Sequence, residues 1–225
     1  MIYNYPGEEL DNFENAIIFR KYCNILIRNF LKSPIMEVGA GIGSFTATYV
    51  NKYDKIYLVE PDKDFLFKLK KRFKKKVQYL KNIYNVKKAF NTVLYISVLE
   101  HIKNDDDEIN RALKKLKTSG HLVIIVPAHQ KLFTKFDKKI GHHRRYEKKY
   151  FSKKFDNAIL VELKFIDSLG YLLYFLNKFF FKNDDNPSKF KIFIWDKLFC
   201  PLSIIVDYLL SYKLGKNIVA IYKKI

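Results

Sequence analysis

Short apolar runs recur along the chain, and in the longer segments between them apolar residues return every three or four positions. Continuous runs of about four to eight apolar residues predict buried strands, and the wider spacing predicts amphipathic helices. Seven runs predict strands, at residues 34–38, 55–60, 77–80, 91–97, 121–126, 158–166 and 217–222. The second run is apolar at consecutive positions, which is typical of a parallel sheet covered on both faces.

Helical spacing predicts helices between these runs, at residues 13–31, 44–51, 64–75, 104–117 and 190–210. Asp11 is the expected N-cap of the first helix, and Asp62 is the expected N-cap of the third. We interpret the acidic run at residues 104–108 as a first helical turn, where the helix dipole favours carboxylates, rather than as a metal site.

Three glycines, Gly39, Gly41 and Gly43, stand at alternate positions where the first predicted strand ends. Glycine lets the backbone approach a ligand closely, and a following helix offers free N–H groups, so the pattern indicates a small-molecule cradle. Glu37 precedes the loop, and Ser44 stands where a dinucleotide-binding fingerprint needs its third glycine. A carboxylate here would repel the pyrophosphate of NAD, which favours the cationic S-adenosylmethionine and disfavours an NAD oxidoreductase.

Three motifs carry a family resemblance: Glu37-Val38-Gly39-Ala40-Gly41-Ile42-Gly43, Val59-Glu60-Pro61-Asp62 and Ser97-Val98-Leu99-Glu100-His101-Ile102. In this order and spacing they resemble the class I S-adenosylmethionine-dependent methyltransferases over roughly the first 130 residues. The resemblance implies an α/β, Rossmann-like fold with a seven-stranded, mostly parallel sheet and helices on both faces. It also implies an antiparallel last strand with a helical insertion before it.

The resemblance further implies which residues hold the cofactor. It assigns Glu60 to the ribose hydroxyls, and the alternative is a surface acid that caps the next helix. The residues expected to contact S-adenosyl-L-methionine are Glu37, Gly39, Ala40, Gly41, Gly43, Glu60, Pro61, Asn82, Ser97 and Val98.

Polar residues are concentrated after the fifth predicted strand, in His129, Asp137 and Gly141-His142-His143-Arg144-Arg145-Tyr146. With Val126-Pro127-Ala128, these residues resemble one subgroup of the family, often found among glycan and cell-envelope genes. Ligands of open α/β folds bind beyond the carboxyl ends of the strands, so we expect this segment at the acceptor.

Imidazole accepts protons near neutral pH, so His129 and His142 are the candidate catalytic bases, with His101 third. The residues expected to contact the acceptor are Asp137, Arg144, Arg145 and Tyr146. The alternative is a salt-bridged loop that only closes the site. No metal is expected.

We interpret residues 1–225 as one methyltransferase domain. Residues 1–33 form an N-terminal helical cap, 34–168 the cofactor-binding core, 169–215 a helical lid insertion and 216–225 the last strand. The strongly apolar insertion is divided by a polar break at residues 182–189, and lysines such as Lys178, Lys182 and Lys197 flank its apolar parts. A lid over the acceptor is favoured, and peripheral membrane contact through residues 169–210 is an open addition.

Charge and cysteine content bound the partners. The net charge is +19, from 42 basic and 23 acidic residues, which reflects either a polyanionic partner or a lysine-rich coding bias. Cys23 and Cys200 lack metal-ligand spacing, so free buried thiols in a reducing cytosol are expected. Acidic residues interrupt the N-terminal stretch, and no apolar run reaches the ~18 residues of a membrane span, so we expect a cytoplasmic protein, at most peripheral to the membrane.

These observations favour a methyltransferase acting on a small-molecule, glycan or lipid-linked acceptor, directed to oxygen or nitrogen. An RNA methyltransferase is an alternative supported by the positive charge, although nucleic acid is the less favoured partner. A catalytically silent methyltransferase-like binding protein is a second alternative. The absence of an Asn/Asp-Pro-Pro-Tyr motif argues against the amino-methylating DNA and protein enzymes.

Overall fold

A single seven-stranded sheet organises the protein. The computed structural model describes residues 5–7, 9–84, 86–87, 89–152, 155, 157–178 and 188–225. The strands are Ile35–Val38 (β1), Ile56–Val59 (β2), Gln78–Leu80 (β3), Phe90–Ile96 (β4), Leu116–Pro127 (β5), Ala158–Ile166 (β6) and Asn217–Lys224 (β7). Their order in the sheet is β3-β2-β1-β4-β5-β7-β6. The first five strands run parallel and β7 runs antiparallel to β5 and β6, which confirms the predicted fold.

Helices cover both faces of the sheet. They are Glu9–Phe13 (α1), Ile17–Ile27 (α2), Lys63–Phe73 (α3), Asp105–Lys115 (α4), Lys135–Lys139 (α5), Lys148–Phe151 (α6), Ser168–Leu176 (α7), Lys189–Ile194 (α8) and Cys200–Leu209 (α9). A π-helical turn, Trp195–Phe199, joins α8 to α9. No helix in these described ranges has both the length and the apolar character that crossing a membrane requires.

Alternate residues of the strands feed two apolar clusters, one on each face. Met36 and Val38 pack with α4 and α6 in the first cluster, and Ile35 packs with α2 and α3 in the second. Because side chains alternate along a strand, Glu37 shares the face of Ile35. The direction of the strand order reverses between β1 and β4, so the loops after these strands meet at the carboxyl edge, where ligands of this fold class bind.

The predicted helix at residues 44–51 is wrong, since this stretch holds only a 3₁₀ turn at Thr46–Thr48. Thr46 and Tyr49 direct their hydroxyl groups to Glu37, and β-branched and aromatic residues lose rotamer freedom in a helix. The glycine loop is therefore not followed by the helix N-terminus that the pattern predicts. A ligand at this loop would therefore meet the amides of the loop rather than a helix N-terminus.

The predicted helix at residues 13–31 is shorter: α2 covers Ile17–Ile27, a 3₁₀ turn follows at Arg28–Phe30, and α1 ends where the prediction begins. Asp11 lies inside α1, so its prediction as an N-cap is wrong. Instead, the carboxylate of Asp196 accepts hydrogen bonds from the amides of Ile18 at 3.1 Å and Phe19 at 2.9 Å. A residue far along the chain thus caps α2, and local sequence could not reveal it. Asp62 is confirmed as the N-cap of α3.

Buried aspartates attach the insertion to the core. Asp207 on α9 accepts hydrogen bonds from Tyr22 Oη at 2.9 Å and from the amides of Asp167 and Ser168 at 2.7 and 2.9 Å. Asp167 in turn accepts one from Trp195 Nε1 at 3.2 Å. The insertion is therefore joined to α2 and to the end of β6. Much of the predicted polar break at 182–189 lies outside the described residues. Cys23 and Cys200 are free and buried, as predicted.

Candidate functional site

The three glycines of the loop have different surroundings, although all adopt positive φ angles of 55° to 77°. A Cβ on Gly39 would lie 2.5 Å from Val98 Cγ2, and one on Gly43 would overlap Phe73. A Cβ on Gly41 would meet only Leu10 Cδ1, at 3.6 Å. Gly39 and Gly43 therefore permit close packing of the protein on itself, and Gly41 faces the open side where a ligand can approach.

The carboxylate of Glu60 lies at this open glycine. Its Oε2 accepts a hydrogen bond from the amide of Gly41 at 2.7 Å, and its Oε1 accepts one from the amide of Asp62 at 2.9 Å. Burial raises the pKa of Glu60, and the two amides oppose that rise. The short strand β2 ends beside the end of β1, which brings this acid to the loop. That Glu60 binds the ribose hydroxyls of a cofactor stays a prediction.

Glu37 lies beneath the loop and is buried. Its Oε2 accepts hydrogen bonds from Thr46 Oγ1 at 2.7 Å and Tyr49 Oη at 2.5 Å. Burial raises the pKa of Glu37 to about 7, although these two hydrogen bonds lower it. Glu37 is thus only partly ionised at neutral pH, which weakens the repulsion of a pyrophosphate that the sequence predicts for it. Its contact with a cofactor stays a prediction.

The other predicted cofactor residues surround the same edge. Ser97, with φ +54°, and Val98 follow β4, and Val98 packs against Gly39. Ala40 is buried within the loop, Pro61 follows Glu60, and Asn82 is exposed after β3. All of them follow the carboxyl ends of β1 to β4, which is the arrangement that the sequence predicts.

A cluster of Glu100, His101 and His142 lies next to this edge. One ligand atom from each residue lies within 4.8 Å of the other two. The His101 and His142 rings are nearly perpendicular, with centroids 4.5 Å apart, and Glu100 Oε1 lies 4.0 Å from His142 Nε2. Burial raises the pKa of Glu100 to about 7. Burial and the charges of His142 and His143 lower the pKa of His101 to about 3, which makes His101 a weak base.

Asp137 and Arg145 hold His142 in place. His142 Nδ1 lies 2.8 Å from Asp137 Oδ1, and Arg145 donates to both oxygens of Asp137 at 2.9 to 3.1 Å. Burial would raise the pKa of Asp137, but His142 and Arg145 lower it to about 2. Because this carboxylate only accepts hydrogen bonds, Nδ1 of His142 carries the proton and Nε2 faces Glu100.

Two further predicted acceptor residues, Arg144 and Tyr146, contact the start of α4. Asp105 pairs with Arg144 and accepts a hydrogen bond from Tyr146 Oη at 2.8 Å. The acidic run does form the first turn of α4, as predicted, and it also anchors the histidine segment. Arg145 is buried against Asp137 and Tyr174. Direct contact of Asp137, Arg144, Arg145 and Tyr146 with an acceptor stays a prediction.

His129 stands apart from the cluster of Glu100, His101 and His142. Its Nε2 lies 3.0 Å from the carbonyl oxygen of Gly215, and its ring stacks on Phe165 at 5.3 Å. Because a carbonyl only accepts, Nε2 donates, and Nδ1 is the nitrogen left to accept a proton. Burial lowers the pKa of His129. Its part in catalysis stays a prediction, with less geometric support than that of His142.

The N-terminal segment covers the cluster and the loop. The ring of Tyr5 lies 5.4 Å from that of His101, Pro6 packs on Gly141, and Leu10 approaches Gly41. Tyr5, Pro6 and Leu10 precede α2, and the N-terminal cap over the site stays a prediction. The insertion reaches the same region, because α8 contacts α1 and Tyr174 Oη of α7 accepts a hydrogen bond from Arg145 at 2.8 Å.

Sequence reasoning did not single out Glu100, Tyr5 or Thr134. Glu100 precedes His101 in the motif that follows the fourth predicted strand, and this Glu-His pair could have indicated a role for Glu100. Thr134 is the N-cap of α5 and donates to Asp137 Oδ2 at 3.0 Å. A capping pattern could have indicated it. Tyr5 gives no local signal.

Comparison with known proteins identifies the family of the chain. A family model described as a methyltransferase domain matches residues 15–158. No curated protein shows significant sequence similarity.

Three solved structures illustrate the shared fold. Coclaurine N-methyltransferase bound to N-methylheliamine and SAH is 14% identical, with a TM-score of 0.61 over 99% of this chain and 76% of that one. A SAM-dependent methyltransferase from Archaeoglobus fulgidus is 16% identical, with a TM-score of 0.60 over 97% and 100%. Phosphoethanolamine N-methyltransferase 2 from Haemonchus contortus, in complex with S-adenosyl-L-methionine, is 14% identical, with a TM-score of 0.62 over 96% and 57%.

Proposed function

The chain belongs to the methyltransferase domain family, and from this premise we propose that it transfers a methyl group from S-adenosyl-L-methionine to a small-molecule, glycan or lipid-linked acceptor. The observation that carries the proposal is the open face of Gly41 with the buried carboxylate of Glu60 beside it. A cradle that a side chain would fill, next to an acid able to accept hydroxyl hydrogen bonds, suits a nucleoside without phosphates.

The loop and Glu60 would hold this cofactor. Gly41 would bring main chain to the surface of the cofactor, and Gly39 and Gly43 let the loop pack closely on the protein behind it. Glu60 would release the Gly41 amide and bind the ribose hydroxyls instead. Val98 fixes the loop from the side of β4. When bound, S-adenosyl-L-methionine supplies a methyl carbon activated by its sulfonium, and the protein supplies orientation, worth ~7–11 kcal/mol at best.

His142 is the base that the geometry favours for a hydroxyl acceptor. Its Nδ1–H donates a hydrogen bond to Asp137, which leaves the lone pair on Nε2. Nε2 could accept the proton of the acceptor hydroxyl as the bond between that oxygen and the methyl carbon forms. Asp137 would then stabilise the imidazolium, and Arg145 keeps Asp137 ionised. General-base help of this kind contributes about 10²–10⁴-fold. His101 and His129 have a weaker case, because their pKa values are lowered by burial.

The insertion would act as a lid. Tyr174 binds Arg145, Lys178 Nζ donates to the carbonyl of Lys131 at 2.7 Å, and α8 touches the N-terminal cap. These contacts link the insertion to both the base-bearing segment and the cap. A lid in this position would exclude water from the acceptor.

The outer surface of the insertion supports peripheral membrane contact. Its exposed large apolar side chains are Leu172, Leu173, Leu176, Phe190, Phe193, Leu198, Leu202, Ile205, Tyr208, Leu209, Leu210 and Leu214. Lys189, Lys191 and Lys197 are exposed in the same segment. Apolar side chains beside lysines suit an anionic lipid surface, which favours a lipid-linked acceptor. Co-flotation with vesicles containing anionic lipid tests this, and failure to float at low salt would contradict it.

Calorimetric titration with S-adenosylhomocysteine and with NADH tests the cofactor. We expect binding of the first and none of the second, and the reverse would overturn the proposal. Transfer of a labelled methyl group into host extracts, fractionated into lipid, glycan, RNA and protein, tests the acceptor. Label confined to RNA would favour the alternative RNA methyltransferase, and binding without any transfer would favour the silent binding protein.

A further inference from the structure

We infer that Glu100, His101 and His142 form a binding site for one divalent transition-metal ion, and that Asp137 positions His142 within it. The sequence predicts no metal, because these residues come from the turn after β4 and from the loop after α5. The fold brings them together. One ligand atom of each lies within 4.8 Å of the others, and a small inward shift would bring all three to a common ion.

The buried polar atoms of this cluster lack partners. Neither carboxylate oxygen of Glu100, nor Nδ1 of His101, has a hydrogen-bond partner within 3.5 Å, and Glu100 is 1% exposed. An unpaired buried carboxylate costs several kcal/mol, and native proteins rarely leave one. Glu100 Oε1 is directed towards His142 Nε2, at 4.0 Å. A cation between these residues would satisfy the orphaned atoms at once.

The arrangement behind His142 is the one that metal-binding histidines use. Asp137 accepts the Nδ1–H at 2.8 Å, which fixes the ring and leaves Nε2 as the ligand atom. Metal ligands of this type almost always donate their second ring N–H to such an outer partner. Asp137 is itself paired with Arg145, so it is committed to holding His142 rather than to binding the ion.

Two imidazoles and one carboxylate suit Zn²⁺, Mn²⁺, Fe²⁺ or Co²⁺, whereas Mg²⁺ and Ca²⁺ prefer oxygen ligands throughout. Three protein ligands leave at least one coordination position open. Val98, next to this turn, packs on the glycine loop, so an oxygen atom of an acceptor could take the open position close to the cofactor edge. A metal on Nε2 would occupy the lone pair that the base role of His142 needs, so His142 can act as the base only in the metal-free protein.

Titration of the metal-free, full-length protein with Co²⁺ and Zn²⁺ alone tests the inference. We expect one ion per chain and a visible Co²⁺ absorption band typical of nitrogen and oxygen ligands. Glu100→Gln and His142→Ala should each weaken binding by about 100-fold or more, and Asp137→Asn by about 10–100-fold, as for loss of an outer partner. His143→Ala removes the exposed neighbouring imidazole and should change affinity by less than about 3-fold, within ordinary surface effects.

Absence of a stoichiometric ion, or equal affinity in Glu100→Gln and the parent, would overturn the metal site. Glu100→Gln also removes a buried unpaired charge, so the metal-free variant should fold at least as stably as the parent, and circular dichroism checks this. Binding of S-adenosylhomocysteine is recorded in parallel. A parent protein that binds S-adenosylhomocysteine but no metal ion would count against this inference alone, and the proposed methyl transfer would stand.

Discussion

Replacing Glu37 by glutamine should change how stability depends on pH. The carboxylate lies buried between β1 and the turn that follows the glycine loop, and burial raises its pKa from 4.5 to about 7. Between these values the folded protein binds more protons than the unfolded chain. Protonation of Glu37 therefore stabilises the folded state fully below pH 4.5, and this contribution is lost as pH rises to about 7.

The size of the effect follows from the two pKa values. Each unit of pKa corresponds to about 1.4 kcal/mol, so the rise from 4.5 to about 7 is equivalent to about 3 kcal/mol. Glutamine keeps an oxygen that can accept from Thr46 and Tyr49, and it cannot ionise. We expect Glu37→Gln to gain up to about 3 kcal/mol relative to the parent between pH 5 and pH 8.

Urea unfolding of the parent and the variant at pH 5 and pH 8 measures the difference. Subtracting the two proteins removes the contributions of Glu100 and of the net charge, which both proteins share. Glu14→Gln is a matched control, because it makes the same substitution at a side chain that is 48% exposed instead of buried. Parallel stability curves for parent and Glu37→Gln would refute the reasoning.

Three further predictions concern the proposed site. Gly41→Val should abolish calorimetric binding of S-adenosylhomocysteine, because a branched side chain would fill the open face and strain a φ of +55°, and retained binding would place the ligand elsewhere. Glu60→Ala should weaken the same binding by roughly 10-fold or more, the cost of charge-assisted hydrogen bonds, and unchanged affinity would contradict the ribose assignment. The Gly41 and Asp62 amides lose their acceptor in this variant, so its melting temperature should fall while circular dichroism shows an intact fold. His142→Ala should lower kcat by about 10²–10⁴-fold with little effect on cofactor affinity, and an equal loss in both would contradict a base role.

The strands and the cofactor edge could be predicted because their signals are local. Apolar runs locate all seven strands, and the register of β1 with β2 and β4 then brings the three motifs to one edge. The helix predicted after the glycine loop is wrong because Thr46 and Tyr49 donate hydrogen bonds to Glu37, which lies on the preceding strand β1. Patterns along one segment do not carry such contacts.

The cluster of Glu100, His101 and His142 could not be assembled from the sequence for a similar reason. His142 was a candidate by residue type, and its neighbour Glu100 lies 42 positions earlier in the chain. The capping of α2 by Asp196 depends on an even longer separation. Both contacts join residues that are distant in sequence. They form only when the loops and the insertion fold back onto the sheet, so patterns in the sequence do not predict them.

The place of β7 between β5 and β6 has a consequence for biosynthesis. During translation β6 leaves the ribosome long before β7, the strand with which it pairs in the described sheet. Until residues 217–224 are made, the edges of β5 and β6 that β7 pairs with stay open, and open edges invite pairing with other nascent chains. Productive closure of the sheet must therefore follow synthesis of the whole insertion, and a chain cut before Asn217 should accumulate in aggregates rather than as a smaller native protein.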